Sequence, residues 1–164
     1  MIEQGCLMND SAKNYTERMC QLLANKLDSL HPYQYLLKYG KQFEKRIPYT
    51  KTGLMGQCYE NSYNIARGNS TKFTYVEGIA TALIPRNHAW VVDEEGNIFD
   101  NTPCHDSDSY FGCEFTIDEV KKLRRAAKCR SIFDSWPCWS NVLKVLLKTH
   151  ATRQTEPYRE SEDH

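Results

Sequence analysis

The sequence lacks an excess of charge of either sign. Its 164 residues include 21 lysines and arginines and 21 aspartates and glutamates, so the formal net charge is zero. Proteins that bind nucleic acids usually carry a basic surface. The basic cluster over residues 121–130 has the spacing of a solvent-exposed helix face. We therefore expect no nucleic-acid partner, and a nucleic-acid or acidic partner for this face is the weakest of three functional hypotheses.

Long apolar runs are also missing. No stretch approaches the roughly 18 apolar residues that a transmembrane helix needs, so we expect no membrane partner. The N-terminal segment has no basic patch followed by an apolar run, and so it does not show the pattern of a signal peptide. We therefore expect a cytoplasmic protein whose thiols are reduced.

The seven cysteines include no Cys-x-x-Cys pair, so the spacing of a zinc finger is absent. Cys104, His105, Asp106 and Cys113 could be interpreted as metal ligands, but their spacing matches no standard site. We expect no metal and no cofactor, and we expect most of the cysteines to be small core residues.

The order of the predicted elements indicates an α+β fold. Helical patterns cover residues 11–30, 33–43, 57–67, 116–128 and 142–150, and strand patterns cover residues 73–83, 87–93, 97–101 and 110–115. Thr116 and Glu119 have the spacing of a capping box, and Ser140 is a candidate N-cap. Because the turns between the strands are short, we expect an antiparallel sheet.

Cys58 stands at the start of the helix predicted over residues 57–67. A cysteine in the first turn of a helix lies at the positive end of the helix dipole, and this position favours a thiolate. The backbone N–H of Cys58 could donate a hydrogen bond to an oxyanion that forms at the sulfur. The side chain of Gln57 is a candidate for the second donor.

His88 and Asp100 fall on the two strands of a predicted hairpin. The sequence Asp93-Glu94-Glu95-Gly96 suits a type I turn followed by a glycine in the left-handed region, which pairs Asp93 with Asn97. Counting back in twos places His88 and Asp100 on one face as diagonal neighbours, about 7–8 Å apart. A loop one residue longer or shorter would present Asn101 to the histidine instead.

A thiol, an imidazole and a carboxylate that converge can act as a nucleophile, its base and the group that orients the base. Each residue also has a structural interpretation. Cys58 and His88 could be buried packing residues, and Asp100 could belong to a turn. Their order and their shared face favour the catalytic interpretation. Trp90 is expected mainly in the core, with a secondary role in lining a substrate site.

These motifs resemble a known superfamily. Gly56-Gln57-Cys58-Tyr59 at a helix start, Tyr75-Val76-Glu77-Gly78, and His88-Ala89-Trp90 with Asp100-Asn101-Thr102 are similar to the papain-like fold in its circularly permuted, transglutaminase-like form. The resemblance covers about residues 53–115. It implies helices packed on a small antiparallel sheet and a triad of Cys58, His88 and Asp100. The acidic calcium-binding cluster of the animal transglutaminases is absent, so hydrolysis is as well supported as crosslinking.

We predict a single catalytic domain over residues 1–150. It would consist of an N-terminal helical part (11–45), a triad core (53–115) and C-terminal helices (116–150). After residue 150 the composition becomes polar and charged, which predicts a disordered tail over residues 151–164.

Two further functional hypotheses follow from this pattern. In the first, the protein is a cysteine-dependent hydrolase or acyltransferase that forms a covalent acyl-enzyme with a protein, a peptide or a small amide. Peptidase, deamidase and transglutaminase-like outcomes all stay open, as does the oligomeric state. In the second, the same fold is a non-catalytic binding module that recognises a protein or a small ligand through its cleft.

Overall fold

A computed structural model describes residues 31–44, 47, 52–82, 84–103, 107, 109–135 and 138–155. Several predictions concern residues outside these ranges. They include the helix expected over residues 11–30, the residues Cys104, His105 and Asp106, and the tail from residue 156 onwards.

The described residues form four helices and five strands, which confirms the α+β class. In chain order these elements are α1 (Pro32–Tyr39), β1 (Lys41–Phe43), α2 (Cys58–Gly68), β2 (Thr74–Thr81), β3 (Pro85–Val92), β4 (Ile98–Phe99), β5 (Ser109–Phe115), α3 (Ile117–Ala127) and α4 (Trp139–Thr155). None of these helices combines the length and the apolarity that a membrane span requires.

The five strands form one antiparallel sheet in the order β1-β5-β2-β3-β4. The sheet curls into a half-barrel. Gly78 lies opposite His88 on one side and opposite Gly112 on the other. A Cβ atom on Gly78 would lie 2.1 Å from the carbonyl oxygen of Phe111, so no side chain fits there. The backbones of β2 and β5 therefore approach closely at Gly78, directly opposite the histidine.

Both faces of the central strands are buried, and alternate residues enter two separate clusters. The larger cluster lies between the sheet and the helices and includes Tyr75, Ile79, Ala89 and Val91. The smaller cluster consists of Phe43, Val76, Ala80, Trp90, Val92, Ile98 and Tyr110. Because β2 and β3 contribute to both clusters, packing from two sides fixes the position of His88 in β3.

Several element boundaries differ from the predictions. The predicted helix over residues 33–43 ends at Gly40, whose N–H donates to the carbonyl oxygen of Leu36. The residues that follow form β1, because Lys41–Phe43 pairs with β5. The break predicted at residues 84–86 is shorter, since Pro85 begins β3, a position that suits a residue without an N–H. β4 has only two residues.

The C-terminal helices also differ in part. The capping box of Thr116 and Glu119 is confirmed, with both reciprocal hydrogen bonds present. The last helix begins at Trp139, so Ser140 lies inside it and is not its N-cap. The helix continues to Thr155, five residues into the predicted tail.

Candidate active site

The start of α2 places Cys58 in a defined conformation. Gln57 is the N-cap, and Gly56 before it has a φ of 72°, a left-handed conformation that favours glycine. The side chain of Asn61 bonds both the N–H and the carbonyl oxygen of Leu54, at 3.1 and 2.9 Å. The loop is thus tied to the first turn of the helix that it enters. Cys58 is the first helical residue and is 9% exposed.

The predicted hairpin register is confirmed. The N–H of Asp93 donates to the carbonyl oxygen of Asn97 at 3.2 Å, and Gly96 has a φ of 79°. Val91 lies opposite Phe99, as the predicted pairing requires. Because the register places both residues on one face, His88 and Asp100 meet directly.

His88 and Asp100 form a buried pair in which His88 Nε2 lies 2.8 Å from Asp100 Oδ2. Asp100 Oδ2 also accepts from the hydroxyl of Tyr110 at 3.0 Å, and Oδ1 accepts from the N–H of Thr102 at 3.1 Å. Burial acts to raise the pKa of Asp100, but the hydrogen bond and charge of His88 outweigh it, with help from Thr102 and Tyr110. The pKa of Asp100 is therefore held below its usual value.

The partners of the His88 imidazole favour its protonated form. Burial acts to lower the pKa of His88, but hydrogen bonds to Asp100 and to the thiol of Cys58 raise it to about 9. Since Nε2 bonds the carboxylate, Nδ1 is the nitrogen left to face the thiol. The structure thus brings together the predicted triad of Cys58, His88 and Asp100.

Asn101, the alternative orienting residue, has a different role. Its Oδ1 atom accepts from the N–H groups of Thr52 and Gly53, at 2.7 and 3.2 Å. Its carbonyl oxygen accepts from the N–H of Gly53 at 3.1 Å. Asn101 therefore anchors the loop that leads to the helix of Cys58, and of the two candidate orienting residues it is Asp100 that bonds the histidine.

The side chain of Gln57 has a fixed orientation. Its Oε1 atom accepts a hydrogen bond from Nη1 of Arg130 at 2.7 Å. Because a guanidinium only donates, the amide oxygen must face Arg130, and Nε2 is the end left to donate elsewhere. This arrangement is consistent with the role of oxyanion donor predicted for Gln57.

Trp90 is fully buried, so the structure gives it no surface that a substrate could contact. Its ring packs edge-on against Phe43 and Tyr110, with centroids 5.7 and 5.0 Å apart. The ring stacks beside His88 at 6.4 Å. The secondary role in lining a substrate site is therefore not supported. Trp90 supports His88 from within the core, as a member of the smaller cluster.

Glu77, from the Tyr75-Val76-Glu77-Gly78 motif, is a buried carboxylate with a set of partners that the sequence did not predict. Its Oε1 atom accepts from the hydroxyl of Ser131 and from the N–H groups of Ile132 and Phe133, at 2.6, 2.6 and 2.9 Å. Its Oε2 atom accepts from the hydroxyl of Tyr75 at 2.7 Å. Burial raises the pKa of Glu77, and these four hydrogen bonds oppose that effect. Glu77 therefore fixes the loop over residues 130–135, which we call the α3–α4 loop.

The α3–α4 loop connects the two halves of the site. Asp134 accepts from the hydroxyl of Tyr59 at 2.7 Å and from the side-chain amide of Asn87. Tyr59 directly follows Cys58, and Asn87 directly precedes His88. A contact network that sequence analysis missed thus joins the helix of Cys58 to the strand of His88. It was missed because the loop lies far along the chain and carries no motif.

Two other free cysteines differ from Cys58 in their surroundings. Cys113 is 5% exposed, and burial raises its pKa to about 12. Cys129 is exposed, its thiol donates to the carbonyl oxygen of Ser131, and partial burial raises its pKa. Neither thiol is among the partners of the His88 imidazole, which are Asp100 and Cys58. Within the described residues, no group of three or more histidine, cysteine or acidic side chains could hold a metal ion.

Comparison of the chain with models of protein families, with curated proteins and with solved structures found no match. The resemblance to the papain-like and transglutaminase-like superfamily therefore depends on the motifs and geometry of this chain.

Proposed function

We propose that the protein is a cysteine-dependent hydrolase or acyltransferase of papain-like, transglutaminase-like fold. Its substrate would be an amide or a thioester of a protein, a peptide or a small molecule. The observation that carries this proposal is the buried His88–Asp100 pair, whose imidazole also bonds the thiol of Cys58 at a helix start. A buried ion pair with a purely structural role would not require a thiol at that point.

The reaction would begin with the Cys58 thiolate attacking the substrate carbonyl carbon. The oxyanion of the tetrahedral intermediate would accept from the N–H of Cys58, which helix geometry leaves without an intrahelical partner, and from Nε2 of Gln57. His88 would donate its Nδ1 proton to the leaving amine or thiolate as the C–N or C–S bond breaks. The product of this half-reaction is a thioester between the acyl group and Cys58.

In the second half-reaction, neutral His88 would take a proton from water or from an acceptor amine as it attacks the thioester. Collapse of that intermediate would release a carboxylic acid or a new amide and restore the thiolate–imidazolium pair. Asp100 would hold the imidazole in one orientation and stabilise its charged form in both steps. Hydrolysis, deamidation and transfer share this intermediate. The expected cytoplasmic location would keep the nucleophile reduced.

Trapping of the acyl-enzyme tests this proposal. We expect that incubation with simple acyl thioesters, followed by acid quenching and mass spectrometry, will reveal an acyl adduct on Cys58. The adduct should be absent from Cys58→Ala and present in Cys129→Ala, which removes an exposed thiol outside the site. A protein that forms no adduct at Cys58 but still binds a ligand would support the binding-module hypothesis instead.

A further inference from the structure

Arg130 is exposed to solvent and is bonded to the residue that precedes Cys58. Its Nη1 atom donates to Oε1 of Gln57, and Gln57 is the residue directly before Cys58. A guanidinium carries more N–H groups than this one bond uses. Within the part of the chain that the structure describes, Arg130 has no other hydrogen bond and no ion pair.

The position of Arg130 is fixed on both sides. Gln57 holds the guanidinium, and the backbone that follows Arg130 is anchored because Ser131, Ile132 and Phe133 donate to Glu77. An arginine whose orientation is set in advance loses less conformational entropy when it binds an anion.

The charge of Arg130 is not neutralised by the acidic residue of its own loop. The carboxylate of Asp134 accepts from Tyr59 at one oxygen and from Asn87 at the other. Among the described residues no carboxylate pairs with Arg130, so its positive charge lies at the N-cap residue of α2, near the positive end of the helix dipole.

We propose that Arg130 determines substrate specificity by binding a carboxylate of the acyl substrate close to the reacting carbonyl. A planar guanidinium with free N–H groups can bind a carboxylate through two parallel hydrogen bonds. The substrate class would be an amide or thioester whose acyl part carries a carboxylate. This inference rests on the proposed function, because it assigns a ligand to the site that Cys58 serves.

Two alkylating reagents of nearly equal size test the inference without knowledge of the substrate. Iodoacetate carries a carboxylate where iodoacetamide carries a neutral amide, and both alkylate a thiolate. We would measure both alkylation rates at Cys58 in the wild type, in Arg130→Gln and in Arg130→Lys. The ratio of the two rates reports the preference for an anion, and it cancels changes in the amount of folded protein.

Arg67→Gln is the matched control. It also removes one positive charge, but Arg67 lies nine residues after Cys58 in α2, roughly 14 Å along the helix axis. We expect Arg130→Gln to lower the iodoacetate-to-iodoacetamide ratio about fivefold, the effect of one charge a few ångströms away in a water-exposed site. Arg67→Gln should keep a ratio close to that of the wild type, and Arg130→Lys, which keeps the charge but loses the planar fork, should give a ratio between those of the wild type and Arg130→Gln.

A ratio in Arg130→Gln equal to that of the wild type, with Cys58 selectively alkylated by both reagents, would overturn this inference alone. An equal fall in Arg130→Gln and Arg67→Gln would also overturn it, because the effect would then come from net charge and not from position. If iodoacetamide does not select Cys58 in the wild type, the proposed function fails, and this inference fails with it.

Discussion

The buried pair of His88 and Asp100 should make folding stability depend on pH in a defined direction. Bonding to Asp100 and Cys58 overcomes burial and raises the pKa of His88 from 6.5 to about 9. Each pKa unit corresponds to about 1.4 kcal/mol, so the charged imidazole contributes roughly 3 kcal/mol to the free energy of unfolding. Part of this contribution comes from Cys58, and the remainder should be lost in Asp100→Asn.

The sign follows from the direction of each pKa change. The folded-state pKa of His88 lies above its unfolded value, so the contribution is complete below pH 6.5 and is lost as pH rises through about 9. The pKa of Asp100 is lowered, so the stabilisation that its ionised carboxylate contributes is present above pH 3.8. This stabilisation is lost as pH falls through the folded-state pKa of Asp100. The full contribution is therefore expected near pH 6.

Urea unfolding of the wild type and Asp100→Asn at pH 6, 7.5 and 9.5 would measure this effect. We expect the variant to be less stable by about 2–3 kcal/mol at pH 6 and by roughly 1 kcal/mol at pH 9.5. Tyr110→Phe is the matched control, since it removes a neutral donor from the same carboxylate oxygen. It should cost about 1 kcal/mol at every pH. A difference for Asp100→Asn that stays constant from pH 6 to 9.5 would refute the ion pair.

Other contacts lead to further predictions. Glu77→Gln should destabilise the fold by about 2–3 kcal/mol, because an NH2 donor replaces one of the two acceptor oxygens among buried donors, and hydrogen exchange should become faster at residues 131–133. Exchange that stays slow there would show that Glu77 does not anchor the loop. Asn101→Ala should cost about 1–2 kcal/mol in urea unfolding, since loop N–H groups lose their partner, and an unchanged midpoint would contradict this role. Gly78→Ala should cost about 3 kcal/mol or more, whereas Gly68→Ala, where a Cβ meets nothing within 4 Å, should change stability by less than about 1 kcal/mol. Equal thermal midpoints for the two glycine variants would refute the close approach at Gly78.

The parts of the site that the sequence predicted correctly are set by local interactions. The residues from Asp93 to Gly96 determine the hairpin turn, and the turn determines that His88 meets Asp100. The start of α2 follows from Gly56 and the helical pattern after it, and this places Cys58 at the first helical residue. Each of these features needs only neighbours along the chain.

The parts that the sequence did not predict depend on contacts between distant segments. Tyr110 reaches Asp100 from β5, which lies between β1 and β2 and is not a neighbour of β4 in the sheet. β1 forms as a strand because β5 offers it a free edge, although the local pattern favours a helix there. Glu77 bonds Ser131, and Asp134 bonds Tyr59, across more than forty residues of chain. No spacing rule indicates such pairs.

The proposed function requires that Cys58 and His88 form a reactive thiolate–imidazolium pair. The most direct test is the rate of iodoacetamide labelling as a function of pH, in the wild type and in His88→Ala, with the labelled cysteines located by mass spectrometry. The raised pKa values of Cys113 and Cys129 predict that these two thiols react slowly below pH 7. If Cys58 and His88 form this pair, Cys58 will be labelled selectively below pH 7, and the selectivity will be lost in His88→Ala. Slow labelling of several cysteines at similar rates, unchanged in His88→Ala, would contradict it.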